Sequence, residues 1–355
     1  MPVVSHGELT RFAQALLMAA GVPDVNADLT ARMLVAANLR GIDSHGVHLL
    51  SYYVKQIAAG QVDPVAEGRI VSESGACLVF DGENGLGQVA ARQCSEHAIR
   101  LAQSHGTAMV TARETNHFGA CFWWARRIAL ENMLGLVFCN ASTLVAPWQG
   151  RDPKFGTNPI CIAVPPQGSD GQEPFLLDMA TTTVAANKIF KAWINQQPEI
   201  PAGWAMDAEG VPTTNTEAAY KGLVMPLGGY KGYGLAMMVE LLCSVLGGGA
   251  MGPELGGIRF TDRRVRVSHS YIAIDIQRFM PIAEFNQRVV WLVEIMKSSM
   301  PAKGFDEVLV PGEPEKRLEA ERLKSGIPIA AGNWKDLAEE ALRLGVPLPS
   351  LESES

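Results

Sequence analysis

Apolar residues recur at helical intervals near the amino terminus of the chain. Ser5, with a glutamate three residues later, has the pattern of a capping box, and Leu9 and Phe12 begin an apolar stripe behind it. Similar stripes run through residues 24–41 and 47–57. The sequence therefore predicts a layer of helices at its start.

From residue 69 onward, short β-prone runs alternate with helices, and a purely helical pattern returns after residue 285. Strands are predicted at residues 69–72, 76–80, 108–111, 134–139, 160–164, 175–177 and 272–276, and helices at 118–130, 285–297, 313–324 and 334–344. Strands mixed with helices predict an α/β protein. Because no Gly-x-Gly-x-x-Gly follows a predicted strand, the pattern does not support an ordinary Rossmann phosphate turn.

Composition narrows the class of partner. The chain has 355 residues, 47% of them hydrophobic and 19% charged, which is typical of a globular protein with a large interior. Its net charge of -7 argues against nucleic acid or an anionic membrane as the main partner, since both are bound through surplus Lys and Arg. An anionic ligand would need a local cationic pocket.

The cysteines and the amino terminus indicate a cytoplasmic protein. Six cysteines are scattered without CxxC pairs, which favours reduced packing residues over disulfides or a zinc site. The sequence has no basic segment followed by an apolar one at its start, and no run of roughly 18 apolar residues that could span a membrane.

Candidate chemistry is concentrated in the turn at residues 40–48, which reads RGIDSHGVH. His45 can give or take a proton near neutral pH, and a neighbouring Ser44 or Asp43 can hold its imidazole in one tautomer. The alternative is an ordinary turn in which the Asp and Ser side chains bond only their own backbone.

A second candidate site is the glycine-rich stretch at residues 227–234, which reads LGGYKGYG and opens a predicted helix. Backbone N–H groups at a helix start, together with Lys231, would suit a phosphate. A glycine-rich linker before a core helix explains the same pattern without a ligand.

The chain as a whole resembles the malate/L-lactate dehydrogenase family of the non-Rossmann type. This family includes ureidoglycolate, sulfolactate and diketogulonate dehydrogenases and piperideine-2-carboxylate reductases. The resemblance is carried by seven stretches in register: residues 40–47 (RGIDSHGV), 81–88 (DGENGLGQ), 116–119 (NHFG), 155–159 (FGTNP), 178–181 (DMAT), 231–234 (KGYG) and 310–313 (VPGE).

The resemblance implies a mixed, largely antiparallel sheet with flanking helices, a non-Rossmann NAD(P)-binding fold, and a homodimer with its active site near the subunit contact. It implies three regions: a helical amino-terminal region (1–75) carrying the Ser-His-Gly turn, an α/β cofactor-binding domain (76–284) and a helical carboxy-terminal region (285–355) packing back on the first.

The resemblance also implies site residues. His45 would be the proton donor and acceptor with Ser44 as its relay partner, and His117 is the alternate. Thr182 is assigned to the substrate. The cofactor, NAD or NADP, would be bound by His117, Ser142, Thr157, Asp178, Met179, Ala180, Thr181, Lys231, Gly232, Gly312 and Glu313.

One position departs from the family pattern. The family usually has an arginine four residues after the Ser-His-Gly histidine, positioned to bind a substrate carboxylate, whereas this chain has Leu49. Leucine cannot replace a guanidinium fork. His48 or another cation then takes the carboxylate, or the substrate differs from malate and lactate.

The predicted function is hydride transfer between a nicotinamide and a small anionic 2-hydroxy or 2-oxo acid, such as malate, lactate or ureidoglycolate. The first alternative is a cyclic imino-acid reductase acting on piperideine- or pyrroline-2-carboxylate. A metal-dependent lyase or hydrolase using His45, His48 and Asp43 or His117, and an inactive binding relative, are the remaining alternatives.

Overall fold

A computed structural model describes residues 1–167 and 173–351. Its strands are β1 (Val3–Val4), β2 (Arg69–Ser74), β3 (Cys77–Asp81), β4 (Thr107–Thr115), β5 (Met133–Cys139), β6 (Ile160–Ala163), β7 (Leu176–Met179), β8 (Ala205–Met206), β9 (Pro212–Thr213), β10 (Leu223–Val224), β11 (Val267–Asp275) and β12 (Ile327–Pro328). Its α-helices are α1 (His6–Ala19), α2 (Asp24–Leu39), α3 (Leu50–Ala58), α4 (Gly87–His105), α5 (Cys121–Ala129), α6 (Ala186–Ile194), α7 (Thr216–Lys221), α8 (Tyr230–Glu240), α9 (Ile282–Lys297), α10 (Glu313–Ser325) and α11 (Ala331–Leu344).

The central sheet has the strand order β2-β3-β4-β11-β5-β6-β7. Within the described residues, β3 and β4 are its parallel pair and the other neighbours are antiparallel. The predicted fold class, a mixed and largely antiparallel sheet with flanking helices, is therefore confirmed. Strand β11 is longer than the alternation of isoleucines predicted, because it pairs along most of its length with both β4 and β5.

Helices α4 and α5 cover one part of the sheet and form the core with it. Trp124 and Tyr271 are fully buried there. Burying a large side chain of this kind adds ~1.5–3 kcal/mol to the free energy of unfolding. Close packing depends on Gly135 of β5, where an added Cβ would lie 2.3 Å from the carbonyl oxygen of Ala125 in α5. Helix α5 begins at Cys121 rather than at the predicted 118, since Gly119 has a φ of +84° that a helix excludes.

The two ends of the chain meet on the amino-terminal helical layer. Strand β1 pairs with β12, so that Val4 lies opposite Ile327. Helix α11 packs against α1 and α3, and α10 packs against α2. The turn that follows α2 is therefore supported from both ends of the sequence.

Two surface and packing properties bear on the predictions. No helix among residues 1–167 and 173–351 combines the length and the apolar character that crossing a membrane requires. All six cysteines are free thiols, and five of them are buried, with Cys77 exposed.

Candidate active site

A cavity of about 900 Å³ lies where the turn after α2, the segment before α5, the end of β7 and the start of α10 converge. Cofactor and small-molecule sites typically measure roughly 300–1,000 Å³, so this cavity is at the large end of the range. Residues from more distant segments complete its lining, among them Ser142 and Arg259 in loops and Phe190 in α6.

The turn that carries His45 is held by hydrogen bonds from Asn38, in the last turn of α2. Asn38 donates to Oδ1 of Asp43 (2.7 Å) and accepts from the backbone N–H of Val47 (2.8 Å). An added Cβ at Gly46 would lie 2.2 Å from Oδ1 of Asn38, so the close approach needs glycine. Arg322 of α10 also donates to Asp43 (2.8 Å). Asp43 therefore fixes the turn.

Ser44 and His45, which the sequence analysis named as catalytic candidates, both line the cavity. Oγ of Ser44 lies 2.9 Å from Nδ1 of His45, which leaves Nε2 as the ring nitrogen without that bond. The His45 ring stacks on the His117 ring with 5.5 Å between centroids and 23° between planes. The structure thus brings the predicted catalytic residues into one cluster.

The hydrogen bonds of His117 restrict its tautomer. Nδ1 accepts from the backbone N–H of Gly119 (3.3 Å) and lies 2.8 Å from the hydroxyl of Tyr53. Buried Gln88 donates to that same hydroxyl (3.0 Å), so the Tyr53 hydrogen is free to point at Nδ1. Neutral His117 therefore carries its proton on Nε2.

Burial favours the neutral form of each histidine in this region. Desolvation, followed by the nearby His48, lowers the pKa of His45 to about 4. Desolvation and the two neighbouring histidines lower the pKa of His117 to about 3. The sequence indicated proton exchange by His45 near neutral pH, whereas burial places the pKa of this imidazole below that range.

Part of the predicted cofactor set lines the same cavity. These residues are His117, Ser142, Thr157, Asp178, Ala180 and Gly312. Asp178 also accepts the backbone N–H of Phe122 at the start of α5 (2.8 Å), and burial raises the pKa of its carboxyl to about 6. Gly312, with a φ of +94°, precedes the first turn of α10 and brings that turn to the cavity wall.

Other predicted residues lie outside the lining. Thr181 and Thr182 bond their hydroxyls to the carbonyl oxygens of Thr157 (3.0 Å) and Val184 (2.8 Å). Met179 lies on β7 between two lining residues. Their ligand-binding roles stay predictions.

The second glycine-rich motif and Glu313 also lie outside the lining. Lys231 is exposed at the start of α8, and Gly232 is buried, with an added Cβ lying 2.6 Å from the carbonyl oxygen of Thr181. Glu313 pairs with Lys297 and accepts the backbone N–H of Val310 (3.0 Å). The cofactor-binding roles of Lys231, Gly232 and Glu313 stay predictions.

The position that departs from the family pattern faces the cavity. Leu49 is buried and lines it, whereas His48 does not. Nδ1 of His48 is buried without a hydrogen-bond partner among the described residues, and desolvation followed by Arg259 lowers the pKa of His48 to about 4. His48 is therefore neutral at physiological pH, which weakens its candidacy as the cation that binds a carboxylate.

Several site residues escaped the sequence analysis. Tyr53 lay in a predicted helix with nothing to mark its contact with His117, 64 positions away. Arg259 lay in a stretch that gave no periodic signal. Asn38 could have been noticed as a polar residue near the end of the predicted helix that precedes the His45 turn. In the structure it is only 4% exposed.

Comparison with known proteins identifies the family. A sequence model of the malate/L-lactate dehydrogenase family matches residues 4–338. The chain belongs to that family. It is a 2-hydroxyacid dehydrogenase of the malate/L-lactate dehydrogenase type, and dehydrogenases of this family use nicotinamide cofactors.

Curated relatives and solved structures agree with this assignment. The chain is 37% identical over 326 residues to L-sulfolactate dehydrogenase of Methanocaldococcus jannaschii, covering 92% of each chain, and 36% identical over 351 residues to malate dehydrogenase of Pyrococcus horikoshii, covering 97% of this chain and 96% of the relative. The solved structure of the sulfolactate dehydrogenase superimposes with a TM-score of 0.90, at 35% identity and 98% coverage of both chains. That of a Δ1-piperideine-2-carboxylate reductase from Pseudomonas syringae has a TM-score of 0.83, at 28% identity, covering 96% of this chain and all of that one.

The metal-dependent alternative finds no support in the arrangement of side chains. Within residues 1–167 and 173–351, no group of three or more His, Cys, Asp or Glu side chains is placed to hold a metal ion. Asp43, the carboxylate nearest the histidines in sequence, is occupied by Asn38 and Arg322.

Proposed function

We propose that this enzyme interconverts small 2-oxo and 2-hydroxy acids, with His45 as the group that donates and accepts the proton. The observation that carries the proposal is the half-buried cluster of Ser44, His45 and His117 on the wall of one cavity. Reduction of a 2-oxo acid adds a hydride to the carbonyl carbon and a proton to its oxygen. When bound, the reduced nicotinamide supplies the hydride.

Proton transfer is assigned to Nε2 of His45. In the imidazolium form, Nδ1–H donates to Oγ of Ser44 (2.9 Å), so the second N–H can only be directed elsewhere. A substrate oxygen that gains negative charge beside Nε2 would take this proton. In the oxidative direction neutral His45 accepts the proton back from the hydroxy acid.

His117 is proposed to act as a neutral hydrogen-bond donor. Its Nδ1 faces the N–H of Gly119, which disfavours a proton on that nitrogen, and its pKa of about 3 makes the imidazolium costly. Its Nε2–H remains available to polarise the substrate carbonyl. Of the two histidines that the family resemblance left as alternatives, this favours His45 for the proton step.

The cofactor would be held by the hydroxyls of Ser142 and Thr157 and by the segment that begins at Gly312. Glu315 and Asp178 also line the cavity, and a carboxylate near a ribose favours its free 2′-hydroxyl over a 2′-phosphate. The charge of Arg40, which interacts with Asp178, is taken up by Glu173 and Glu319. We therefore infer a preference for NAD over NADP.

The test is a panel of 2-oxo acids and cyclic imines assayed with NADH and NADPH at the reduced-nicotinamide absorbance. We expect 2-oxo acid reduction with NADH preferred, and His45→Ala should lower kcat by ~10²–10⁴-fold, the usual contribution of a positioned acid. Cofactor binding measured by fluorescence titration should stay near wild type in this variant. A folded His45→Ala enzyme with wild-type kcat would remove His45 from the mechanism.

The second candidate, reduction of a cyclic imino acid, is favoured by the structural neighbour that carries this activity and by the apolar Ile42, Leu49 and Ile258 in the cavity wall. An iminium substrate already carries its proton, so His45→Ala would then cost far less. The same panel therefore separates the two functions.

We further infer that two chains assemble through α9 and that the protein works in the cytoplasm. Val289 is the buried residue of α9, whereas Trp291 and Leu292 are 60% and 56% exposed. Monomers rarely leave an apolar face of this kind open. Free buried thiols are typical of a reducing compartment.

A further inference from the structure

The cavity that contains His45 is lined by two side chains with a permanent positive charge among the described residues, Arg40 and Arg259. Arg40 is buried, and its Nη1 lies 3.8 Å from Glu173 and 3.6 Å from Glu319. Two carboxylates thus compensate its charge. Arg259 forms no ion pair with any carboxylate in the described part of the chain, so its charge is open to a ligand.

Arg259 lies on the side of the cavity where the His45 turn is. Its guanidinium carbon is 5.9 Å from the centroid of the Tyr52 ring, which in turn contacts the ring of His48 edge-on at 6.3 Å. It is also 5.3 Å from the centroid of Phe190, another residue of the cavity wall. Arg259 is also close enough for its charge to help lower the pKa of the His48 imidazole.

The orientation of Arg259 leaves donors available. Its Nη2 donates to Oδ1 of Asn187, which fixes one end of the guanidinium, and the two rings flank the group. A guanidinium has five N–H donors in a fixed fork. The remaining donors can bind a carboxylate in two-point fashion, which neither Leu49 nor neutral His48 can do.

We propose that Arg259 binds the carboxylate of the substrate. This rests on the proposed function. Arg259, in a loop 210 positions further along the chain, then takes the role of the arginine that is missing at Leu49. The residue is a substrate-binding group, and its contribution is to affinity and orientation, while His45 supplies the proton.

The same arrangement selects a class of substrate. One open guanidinium beside the apolar side chains of Leu49, Ile258 and Phe190 fits a monocarboxylate whose remaining group is apolar. A dicarboxylate or a sulfonated acid would bring a second anion into this wall, where the described lining offers it no second uncompensated cation. We therefore expect 2-oxo monocarboxylates to be preferred over oxaloacetate and sulfopyruvate.

The experiment compares Arg259→Leu and Arg259→Lys with wild type on 2-oxobutyrate and its methyl ester. Loss of a two-point charged contact should raise KM for the acid about 10- to 100-fold in Arg259→Leu, with the lysine variant in between. KM for the neutral ester should change less than threefold, so that the preference for the acid collapses. The matched control is Arg264→Leu, which removes the same charge from an exposed position of the same loop, outside the cavity lining.

Binding of oxamate, an unreactive analogue with one carboxylate, provides a second readout by calorimetry and should weaken in parallel with the change in KM. If wild type reduces 2-oxo acids and Arg259→Leu keeps their KM and oxamate affinity, the assignment of Arg259 is wrong while the proposed function stands. If wild type reduces no 2-oxo acid but still binds oxamate through Arg259, the proposed function is wrong and the anion site stands. A preference for oxaloacetate over 2-oxobutyrate would overturn the substrate class.

Discussion

Two stacked histidines in one half-buried site suit different tasks because the protein bonds them differently. The Nδ1 of His45 faces a hydroxyl, which can donate or accept and so tolerates either protonation state. The Nδ1 of His117 faces a backbone N–H, which can only donate. Protonation is thus easier to accommodate at His45 than at His117, although burial lowers the pKa of both.

The lowered pKa of His45 sets the expected pH dependence. Reduction needs the imidazolium, whose fraction in the free enzyme falls about tenfold per pH unit above a pKa of about 4. kcat/KM for reduction should therefore decline steadily between about pH 6 and 8, without a plateau, whereas kcat/KM for oxidation, which needs the neutral ring, should stay flat there. A plateau in the reductive direction up to neutral pH would contradict this pKa. A deuterated cofactor checks that hydride transfer limits the rate.

The sequence revealed those site residues that lie within one turn of the chain. The sequence indicated that Ser44 or Asp43 could hold the imidazole of His45, and in the structure Oγ of Ser44 lies 2.9 Å from Nδ1 of His45. The contacts of Tyr53 with His117 and of Arg259 with Tyr52 join distant segments, and neither hydrophobic periodicity nor turn chemistry encodes such pairs. Lys231 belongs to a good local phosphate pattern but is exposed outside the cavity lining, and its phosphate role stays a prediction.

At the level of elements, the support of the His45 turn comes from the end of α2. The side chain of Asn38 donates to the Asp43 carboxylate before Gly46 and accepts the backbone N–H of Val47 after it, and Arg322 in α10 reinforces the turn through Asp43. A turn held in this way keeps the imidazole in place without using Nε2, which leaves that atom for the substrate.

The turn should accordingly fail when Gly46 acquires a side chain. In Gly46→Ala the new Cβ would lie 2.2 Å from Oδ1 of Asn38, so one of the two must move, at a typical overpacking cost of ~1–3 kcal/mol. We expect a lower melting temperature and a lower kcat, with cofactor affinity less affected. Gly332→Ala is the control, because it lies in α11 with nothing within 4 Å of the added Cβ, and it should be neutral or slightly stabilising. Wild-type kcat in Gly46→Ala would contradict the role of the turn.

Helices were easier to predict than the order of strands. The helices α1, α2, α10 and α11 follow from apolar stripes and capping residues, both local properties. The insertion of β11 between β4 and β5 joins segments 130 or more positions apart, and no pattern in the sequence predicted it. The division into regions 1–75, 76–284 and 285–355 stays a prediction.

On the scale of the whole molecule, the helix α9 links the outer surface to the cavity. Lys297 at its end pairs with Glu313, the first residue of α10, and the adjoining Gly312 lines the cavity. A partner chain covering α9 would therefore stiffen the wall where the cofactor is proposed to bind. Assembly of the predicted homodimer would in this way affect cofactor binding.

The dimer prediction can be tested by introducing a charge on α9. Val290, Trp291, Leu292, Ile295 and Met296 form an exposed apolar patch on this helix. Burying a carboxylate in an apolar contact is strongly unfavourable. Trp291→Glu should therefore lower the molar mass measured by light scattering after gel filtration from that of a dimer to that of a monomer. Leu342→Glu makes the same change at an 86% exposed position of α11 and should leave the dimer intact. Because Lys297 of α9 pairs with Glu313, which adjoins Gly312 in the cavity wall, the monomeric variant should bind NADH more weakly. A wild-type enzyme that is a monomer at assay concentration, or a Trp291→Glu enzyme that stays dimeric, would locate the subunit contact elsewhere or remove it.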